Sequence, residues 1–242
     1  MKQLKTKGQI KEYYESECIA RDYEKSRFID GVGHLIHENQ VRIIKYYVSK
    51  VKGDKIMEIA PGPARITSEI KVRSGIAIEN SPEMLKIANN KRLKNWRFKK
   101  GDAFNLDLRK QFNLIYTLRF VRHFKLEDRK KIYKQVYDHL ISEGYFIFEA
   151  PNQIIEIPWR KLVGIHKYPI YDKFWSKKEL IKEMEYSGFG VVTLKNSINL
   201  FFLQEPISKI LLFLKFKIGI VKFLEKINIG IPLEWIVICK KR

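Results

Sequence analysis

The most informative segment of the sequence is KIMEIAPGPAR, residues 55–65. An apolar run long enough for a buried strand leads into a turn of small residues, and a helical pattern follows. Small residues in such a turn let the backbone approach a ligand closely, and the N-terminus of a following helix attracts anions. The stretch therefore predicts a ligand site at the carboxyl end of a first strand.

Glu58 indicates which kind of ligand. The turn matches a dinucleotide-binding G-x-G-x-x-G pattern poorly, because Ala60 and Arg65 stand where two of the glycines belong. A carboxylate at this strand end would repel a pyrophosphate, whereas it would attract a cationic ligand. The alternative is that Glu58 only caps the turn.

On both sides of this segment, short apolar runs alternate with amphipathic segments along the chain. Such alternation is typical of a doubly wound α/β fold with a mostly parallel sheet. Seven strands are predicted, at residues 55–60, 75–79, 96–99, 113–118, 145–150, 190–194 and 234–239.

The chain is predicted to form one domain of four parts. Residues 1–50 form an N-terminal helical cap, 51–198 the ligand-binding core, 199–232 an apolar and basic insertion of one or two helices, and 233–242 the last strand. Loops as long as 199–232 usually carry structure of their own. We interpret this insertion either as a lid or core cover, or as a helix that lies on a membrane surface.

The composition limits the binding partners and the cellular compartment that can be expected. The formal net charge is +20, which fits either an ordinary lysine-rich surface or contact with a polyanion. Cys18 and Cys239 form no disulfide framework, no zinc spacing occurs, and we predict no metal. No apolar leader or 18-residue apolar span is found, so a cytoplasmic protein is expected. Peripheral contact with an anionic membrane through residues 199–232 is one of the two interpretations of that insertion.

Five ordered motifs resemble the class I S-adenosylmethionine-dependent methyltransferases, over most of the chain. They are EIAPGPAR (58–65), GIAIENSPEML (75–85), RFKKGDA (97–103), QFNLIYTLRFVRHF (111–124) and LISEGYFIFEAPN (140–152). The resemblance implies a Rossmann-like fold and a transferase that uses S-adenosylmethionine and releases S-adenosylhomocysteine.

The same resemblance implies the cofactor-binding residues. Glu79 would accept both ribose hydroxyls, Asp102 the adenine amine, and the Ala103 amide would meet a ring nitrogen. The full set implied is Glu58, Ala60, Gly62, Glu79, Asn80, Asp102, Ala103, Thr117 and Arg119.

His123 is the candidate catalytic base, because it follows the fourth strand on the methyl side and its ordinary pKa suits proton removal. The alternative is a histidine that packs or caps in the loop. An aromatic and basic set is the candidate acceptor site, with ordinary packing as its alternative. It comprises Arg122, Trp159, His166, Tyr168 and Tyr171.

The expected acceptor is a small molecule, a sugar-containing compound or a lipid-like compound. Residues 117–120 (TLRF) replace the Asn/Asp-Pro-Pro-Tyr/Phe segment of methyltransferases that act on base or glutamine amines, and neither cysteine is placed for methylation of a base carbon. Nucleic acid is the less favoured partner. An RNA methyltransferase that uses the basic surface is one alternative, and a non-catalytic methyltransferase-like binding protein is another.

Overall fold

A seven-stranded sheet lies at the centre of the computed structural model, which describes residues 3–4, 6–28, 31–214, 219–227 and 229–242. The strands are β1 (Ile56–Ile59), β2 (Gly75–Glu79), β3 (Trp96–Lys100), β4 (Phe112–Thr117), β5 (Leu140–Pro151), β6 (Phe189–Ser197) and β7 (Glu234–Lys241). Their spatial order is β3-β2-β1-β4-β5-β7-β6. Only β7 runs antiparallel to its neighbours. The predicted mostly parallel, seven-stranded α/β fold is confirmed.

Helices cover both faces of the sheet and its carboxyl-end edge. Those in the described residues are α1 (Lys7–Glu15), α2 (Glu17–Phe28), α3 (Gly31–Lys50), α4 (Pro82–Asn90), α5 (Leu126–His139), α6 (Gln153–Val163), α7 (Lys177–Tyr186), α8 (Phe201–Phe213) and α9 (Gly219–Ile227). None of them is both long and apolar enough to cross a membrane.

Alternating side chains divide the core into two layers, because successive residues of a strand point to opposite faces. In β1, Met57 and Ile59 enter the layer that also contains residues of α5 and α7. Ile56 enters the opposite layer, which α3 covers with Ile44 and Tyr47.

The helix predicted directly after β1 is not formed. Residues 60–74 contain only a single 3₁₀ turn, Thr67–Glu69. The physical reason is that α3 already covers this face of the sheet, where Ile44 and Tyr47 pack with Ile70. The site therefore has no helix N-terminus at this position to receive an anion.

The insertion before β7 forms two helices, α8 and α9, as the sequence predicts. Gly31 of α3 lies against Ser208 of α8, where an added Cβ would be 3.1 Å from the serine hydroxyl oxygen. Lys215, Phe216, Lys217 and Ile218, which the sequence interpretation included, lie outside the described residues.

Candidate functional site

A cavity opens at the carboxyl ends of β1, β2 and β4. Helices α1 and α2 lie over it, and Ile10, Tyr14 and Tyr23 form part of its wall. Eight of the nine predicted cofactor residues line this cavity: Glu58, Ala60, Gly62, Glu79, Asn80, Asp102, Ala103 and Arg119. The ninth, Thr117, is fully buried at the end of β4 and does not reach the wall.

The turn after β1 has an unusual backbone conformation. Ala60, Gly62 and Ala64 have φ angles of 55°, 60° and 63°, in the left-handed region that favours glycine. The Ala60 amide donates to the carbonyl of Ile78 at 2.9 Å, which fixes the turn to β2. Two alanines therefore adopt a strained conformation beside the cavity, as residues at ligand sites often do.

Glu79 organises this turn from the end of β2. One carboxylate oxygen accepts the amides of Asn80 (2.9 Å) and Ser81 (2.8 Å), and the other accepts the amide of Gly62 (2.9 Å). Burial raises the pKa of the Glu79 carboxyl, while these amides lower it. A carboxylate has about four acceptor positions, so one position stays available for a ligand hydroxyl, not the two that the family resemblance implies.

Glu58 is a buried carboxylate at the end of β1. The hydroxyls of Thr67 and Tyr116 donate to one of its oxygens at 2.6 and 2.7 Å. Burial raises its pKa to about 7 despite these two donors. Its charge therefore changes near neutral pH, and a cationic ligand would favour the ionised form.

Asp102 lies at the opposite side of the cavity, after β3. Its carboxylate accepts the Phe104 amide at 3.0 Å and pairs with the Lys7 ammonium at 2.7 Å. The same ammonium lies 3.9 Å above the Phe104 ring. Helix α1 is thus fastened to the residue that the family resemblance assigns to the adenine amine.

Arg65 is a wall residue that the sequence interpretation treated only as a departure from a glycine pattern. Its guanidinium binds the Gln40 side-chain oxygen at 2.7 Å and His37 Nδ1 at 2.8 Å, and lies 3.7 Å from the centre of the Phe28 ring. Burial lowers its pKa to about 10, so it stays protonated at neutral pH. Its fixed charge in the wall could have been suspected from its position in the turn.

His123 is held between two elements that are distant in sequence. Its Nδ1 lies 2.8 Å from Asp172 Oδ1 and 3.2 Å from the Tyr171 carbonyl, and its Nε2 lies 3.3 Å from the Tyr14 hydroxyl. Two acceptors at Nδ1 place the proton there, which leaves Nε2 to accept from Tyr14. Burial lowers the pKa of His123 although Asp172 raises it, so the ring is neutral at pH 7.

Asp172 is a functional residue that sequence reasoning missed. Arg122 binds it through Nε (2.8 Å) and Nη2 (3.0 Å), and Arg160 binds it at 2.5 Å. Burial alone raises the pKa of Asp172, but the charge and hydrogen bonds of Arg122 hold it well below its usual range. A usable signal existed, because Asp172 is the only acidic residue between positions 157 and 178.

The structure does not bring the five predicted acceptor residues to the cavity wall. Arg122 is buried against Asp172, and Tyr171 reaches His123 only through its backbone carbonyl. Trp159 packs at right angles on Phe201. His166 is exposed in a 3₁₀ turn, and Tyr168 lies beneath the Arg160 guanidinium.

Buried polar atoms without partners gather at the ends of β4 and β5. Arg119 has a φ of 57°, and its amide donates to Glu149 at 2.5 Å. Within the described part of the chain, Thr117 Oγ1, Arg119 Nε and Glu149 Oε1 are buried and have no hydrogen-bond partner. Since native proteins rarely leave such atoms unpaired, Arg119 Nε offers a donor for a ligand in the cavity. The described residues contain no group of His, Cys, Asp or Glu that could hold a metal ion.

Comparison with known proteins agrees with this geometry. Residues 56–144 match a family model described as a methyltransferase domain. A search of curated proteins finds no match.

Solved structures with the same fold are numerous. Magnesium protoporphyrin IX methyltransferase (ChlM) from Synechocystis, crystallised with SAH, is 11% identical, with 98% of this chain and 100% of that chain covered and a TM-score of 0.69. A possible histamine N-methyltransferase from Thermotoga maritima is 18% identical and has a TM-score of 0.62. That alignment covers 95% of this chain and 100% of the other. The protein in the DhpI–SAH complex is 14% identical and has a TM-score of 0.60. That alignment covers 95% of this chain and 94% of the other.

These identities show a shared fold, and the family match places the methyltransferase domain on the strands that build the cavity. The identification made from the five motifs is confirmed. Residues 56–144 match a methyltransferase domain, and the chain has the fold of solved S-adenosylmethionine-dependent methyltransferases.

Proposed function

We propose that the chain binds S-adenosylmethionine in this cavity and methylates the oxygen of a small hydroxyl-bearing acceptor, such as a sugar or a lipid-like alcohol. The observation that carries the proposal is the hydrogen-bonded series Tyr14–His123–Asp172 at the cavity wall. A hydroxyl needs a base to remove its proton, whereas a carboxylate or a neutral amine does not.

The charged residues of the wall fit this cofactor. S-adenosylmethionine carries an ammonium, a sulfonium and a carboxylate. Glu58 and Glu79 supply negative charge on one side of the turn, and Asp102 supplies it at the adenine side. Arg65 and Arg119 supply the positive charge that a ligand carboxylate requires.

Arg65 takes the place of the missing helix N-terminus. Because only a 3₁₀ turn follows β1, no helix dipole is available to receive the methionine carboxylate. A guanidinium held by Gln40 and His37 offers a full charge in a fixed orientation instead. This substitution explains why an arginine occupies the last position of the turn.

The cofactor, when bound, supplies a methyl group on a positively charged sulfur. The protein must then align the acceptor oxygen and exclude water. Phe104, Phe120 and Phe124 give the cavity apolar walls, and α1 and α2 cover it. Such a covered, aromatic cavity suits a small acceptor better than a folded RNA.

The proton of the acceptor hydroxyl passes to the Tyr14 oxygen as the Tyr14 proton passes to His123 Nε2. Burial raises the pKa of Tyr14, so a free phenolate is disfavoured and the two transfers occur together. The resulting imidazolium is stabilised by Asp172, 2.8 Å from Nδ1. Asp172 keeps its charge because Arg122 and Arg160 hold it ionised.

Two measurements test the proposal. Calorimetric titration with S-adenosylmethionine and S-adenosylhomocysteine should show binding, and its absence in a folded sample would refute a cofactor site. A screen with methyl-labelled cofactor should then label alcohols or phenols. Transfer only to amines would refute the proposed acceptor class, and cofactor binding without any transfer would favour the non-catalytic alternative.

A further inference from the structure

Apolar side chains are exposed mainly on one part of the molecule. Of the nineteen large apolar residues that are exposed in the described chain, fifteen belong to α6, α8, α9 and the turns that follow them. The most exposed of these fifteen are Phe213 (86%), Leu162 (75%), Ile229 (66%) and Phe223 (63%). We call the outer face of residues 154–165, 202–214, 219–227 and 229–231 the apolar face.

This face is not an unfinished piece of the core. The inner sides of the same helices are already buried, with Ile155 of α6, Phe201 of α8 and Val221 of α9 in one cluster. That cluster also contains Leu35 of α3. Each helix thus has one buried apolar side and a second apolar side in water, which soluble surfaces seldom show over such an area.

The charges of the apolar face have one sign. Within the described residues of 153–167 and 201–231, every exposed Asp, Glu, Lys or Arg side chain is a lysine: Lys161, Lys167, Lys209 and Lys226. The acidic residues are turned inward or paired. Glu156 binds Arg160, Glu225 binds Asn39, and Glu205 pairs with Lys209.

We propose that the apolar face docks on the surface of an anionic phospholipid bilayer. Apolar helix sides that enter the headgroup boundary, with lysines at their rim, match such a surface in both hydrophobicity and charge. None of the helices in the described segments can span a bilayer, so the docking is peripheral. A second copy of the chain fits less well, because a two-fold interface would bring lysines against lysines.

Docking requires neither the cofactor nor the acceptor. It can therefore be measured on the full chain alone, by co-sedimentation with vesicles of phosphatidylcholine that contain phosphatidylserine. The bound fraction should be high, and it should fall with phosphatidylcholine alone or with added salt.

The apolar contribution is tested by the double variant Phe213→Ser/Phe223→Ser. Removing two inserted rings should weaken vesicle binding by at least about tenfold, because less apolar area then leaves water on docking. The matched control is Leu126→Ser/Tyr186→Ser, which changes two exposed apolar residues elsewhere and should bind as the wild type does.

The charge contribution is tested by Lys161→Glu/Lys226→Glu against Lys178→Glu/Lys182→Glu. Both pairs are exposed and change the net charge equally, but only the first pair lies on the apolar face. The first should lose binding to the anionic vesicles and the second should keep most of it. Equal losses would show that net charge alone attracts the protein and would overturn the docking surface.

Two further results would overturn the proposal. One is a wild-type chain that does not sediment with anionic vesicles although it is folded. The other is a dimer in light scattering that Phe213→Ser/Phe223→Ser dissociates, with no vesicle binding by either form. Failure of cofactor binding leaves the docking measurement unaffected, so the two proposals fail separately.

Discussion

The two halves of the cavity are built by different kinds of contact. In the half formed by β1, β2 and β3, Glu79 and Asp102 each accept backbone amides of a nearby turn, as Glu79 does from Gly62 and Ser81. In the half formed by β4 and β5, side chains pair with side chains far away in sequence, as His123 does with Asp172. The first half is therefore suited to a ligand that is the same in related proteins. Substitutions in the loops of the second half can change which acceptor binds there.

The largest effect is expected in the second half. His123→Gln removes the imidazole that receives the proton, so kcat should fall about 10²–10⁴-fold with any hydroxyl acceptor found in the screen. Cofactor affinity, which depends on the first half, should stay unchanged in calorimetry. Tyr14→Phe should show a comparable loss if the hydroxyl passes the proton on.

The matched control is His139→Gln, because His139 is a buried histidine that binds only backbone carbonyls of Gln135 and Leu108. It should keep kcat. If His123→Gln retains full activity, or loses activity only together with cofactor binding, the two halves do not divide the work as proposed.

The second effect lies in the first half. Glu79→Ala removes the acceptor of three backbone amides and the carboxylate proposed to bind the ribose, so the dissociation constant of the cofactor should rise by about 100-fold, or ~2.7 kcal/mol. Thermal unfolding should also shift downward. Glu69→Ala, an exposed carboxylate of the same loop region outside the cavity, should leave both unchanged. Unchanged affinity in Glu79→Ala would remove Glu79 from the binding site.

The first half could be predicted from the sequence because its contacts follow from strand ends. The predicted strand at 75–79 has the observed bounds, and Glu79 closes it within reach of the preceding turn. The helix after β1 was predicted wrongly, because the local pattern does not show that α3 already covers that face. What the pattern lacked was information about how another helix packs on the sheet.

The second half could be predicted only in part for the same reason. His123 was found because it follows β4, but its partner Asp172 lies forty-nine positions later in a loop without periodic pattern. The placement of Trp159 and Tyr168 away from the cavity depends on α8 and on Arg160, which no local spacing reveals. The sequence pattern does not reveal which side chains pair when they lie far apart in the chain.

The third effect separates the charges of the cofactor. Arg65→Met should weaken binding of S-adenosylmethionine by about 10–100-fold, because a charged hydrogen bond to the ligand carboxylate contributes roughly 1.5–3 kcal/mol. Methylthioadenosine, which lacks that carboxylate, should bind the variant and the wild type equally in the same titration. An equal loss for both ligands would mean that Arg65 only supports the fold through Gln40 and Phe28.

The fourth effect is a pH dependence that arises at Glu58. Since burial raises its pKa to about 7, the carboxyl is increasingly protonated as the pH falls below that value. Binding of a cationic ligand should therefore weaken between about pH 8 and about pH 6, by at most roughly tenfold per pH unit. Neutral methylthioadenosine should bind without this dependence, and Glu58→Gln should abolish it for S-adenosylmethionine. A profile that is unchanged in Glu58→Gln would assign the titration to another group.

The smallest effect is expected where the N-terminal cap meets the first half. Lys7 and Asp102 are each about two-fifths exposed, with side-chain exposures of 41% and 39%, and exposed ion pairs contribute only about 0–1 kcal/mol. If Asp102 accepts the adenine amine, Lys7 competes for the same carboxylate, so Lys7→Gln should tighten cofactor binding by less than about fivefold. Asp102→Asn should weaken it. A clear loss of affinity in Lys7→Gln would instead make Lys7 a ligand-binding residue, and the cap would then contribute to the half of the cavity that the strands alone were expected to form.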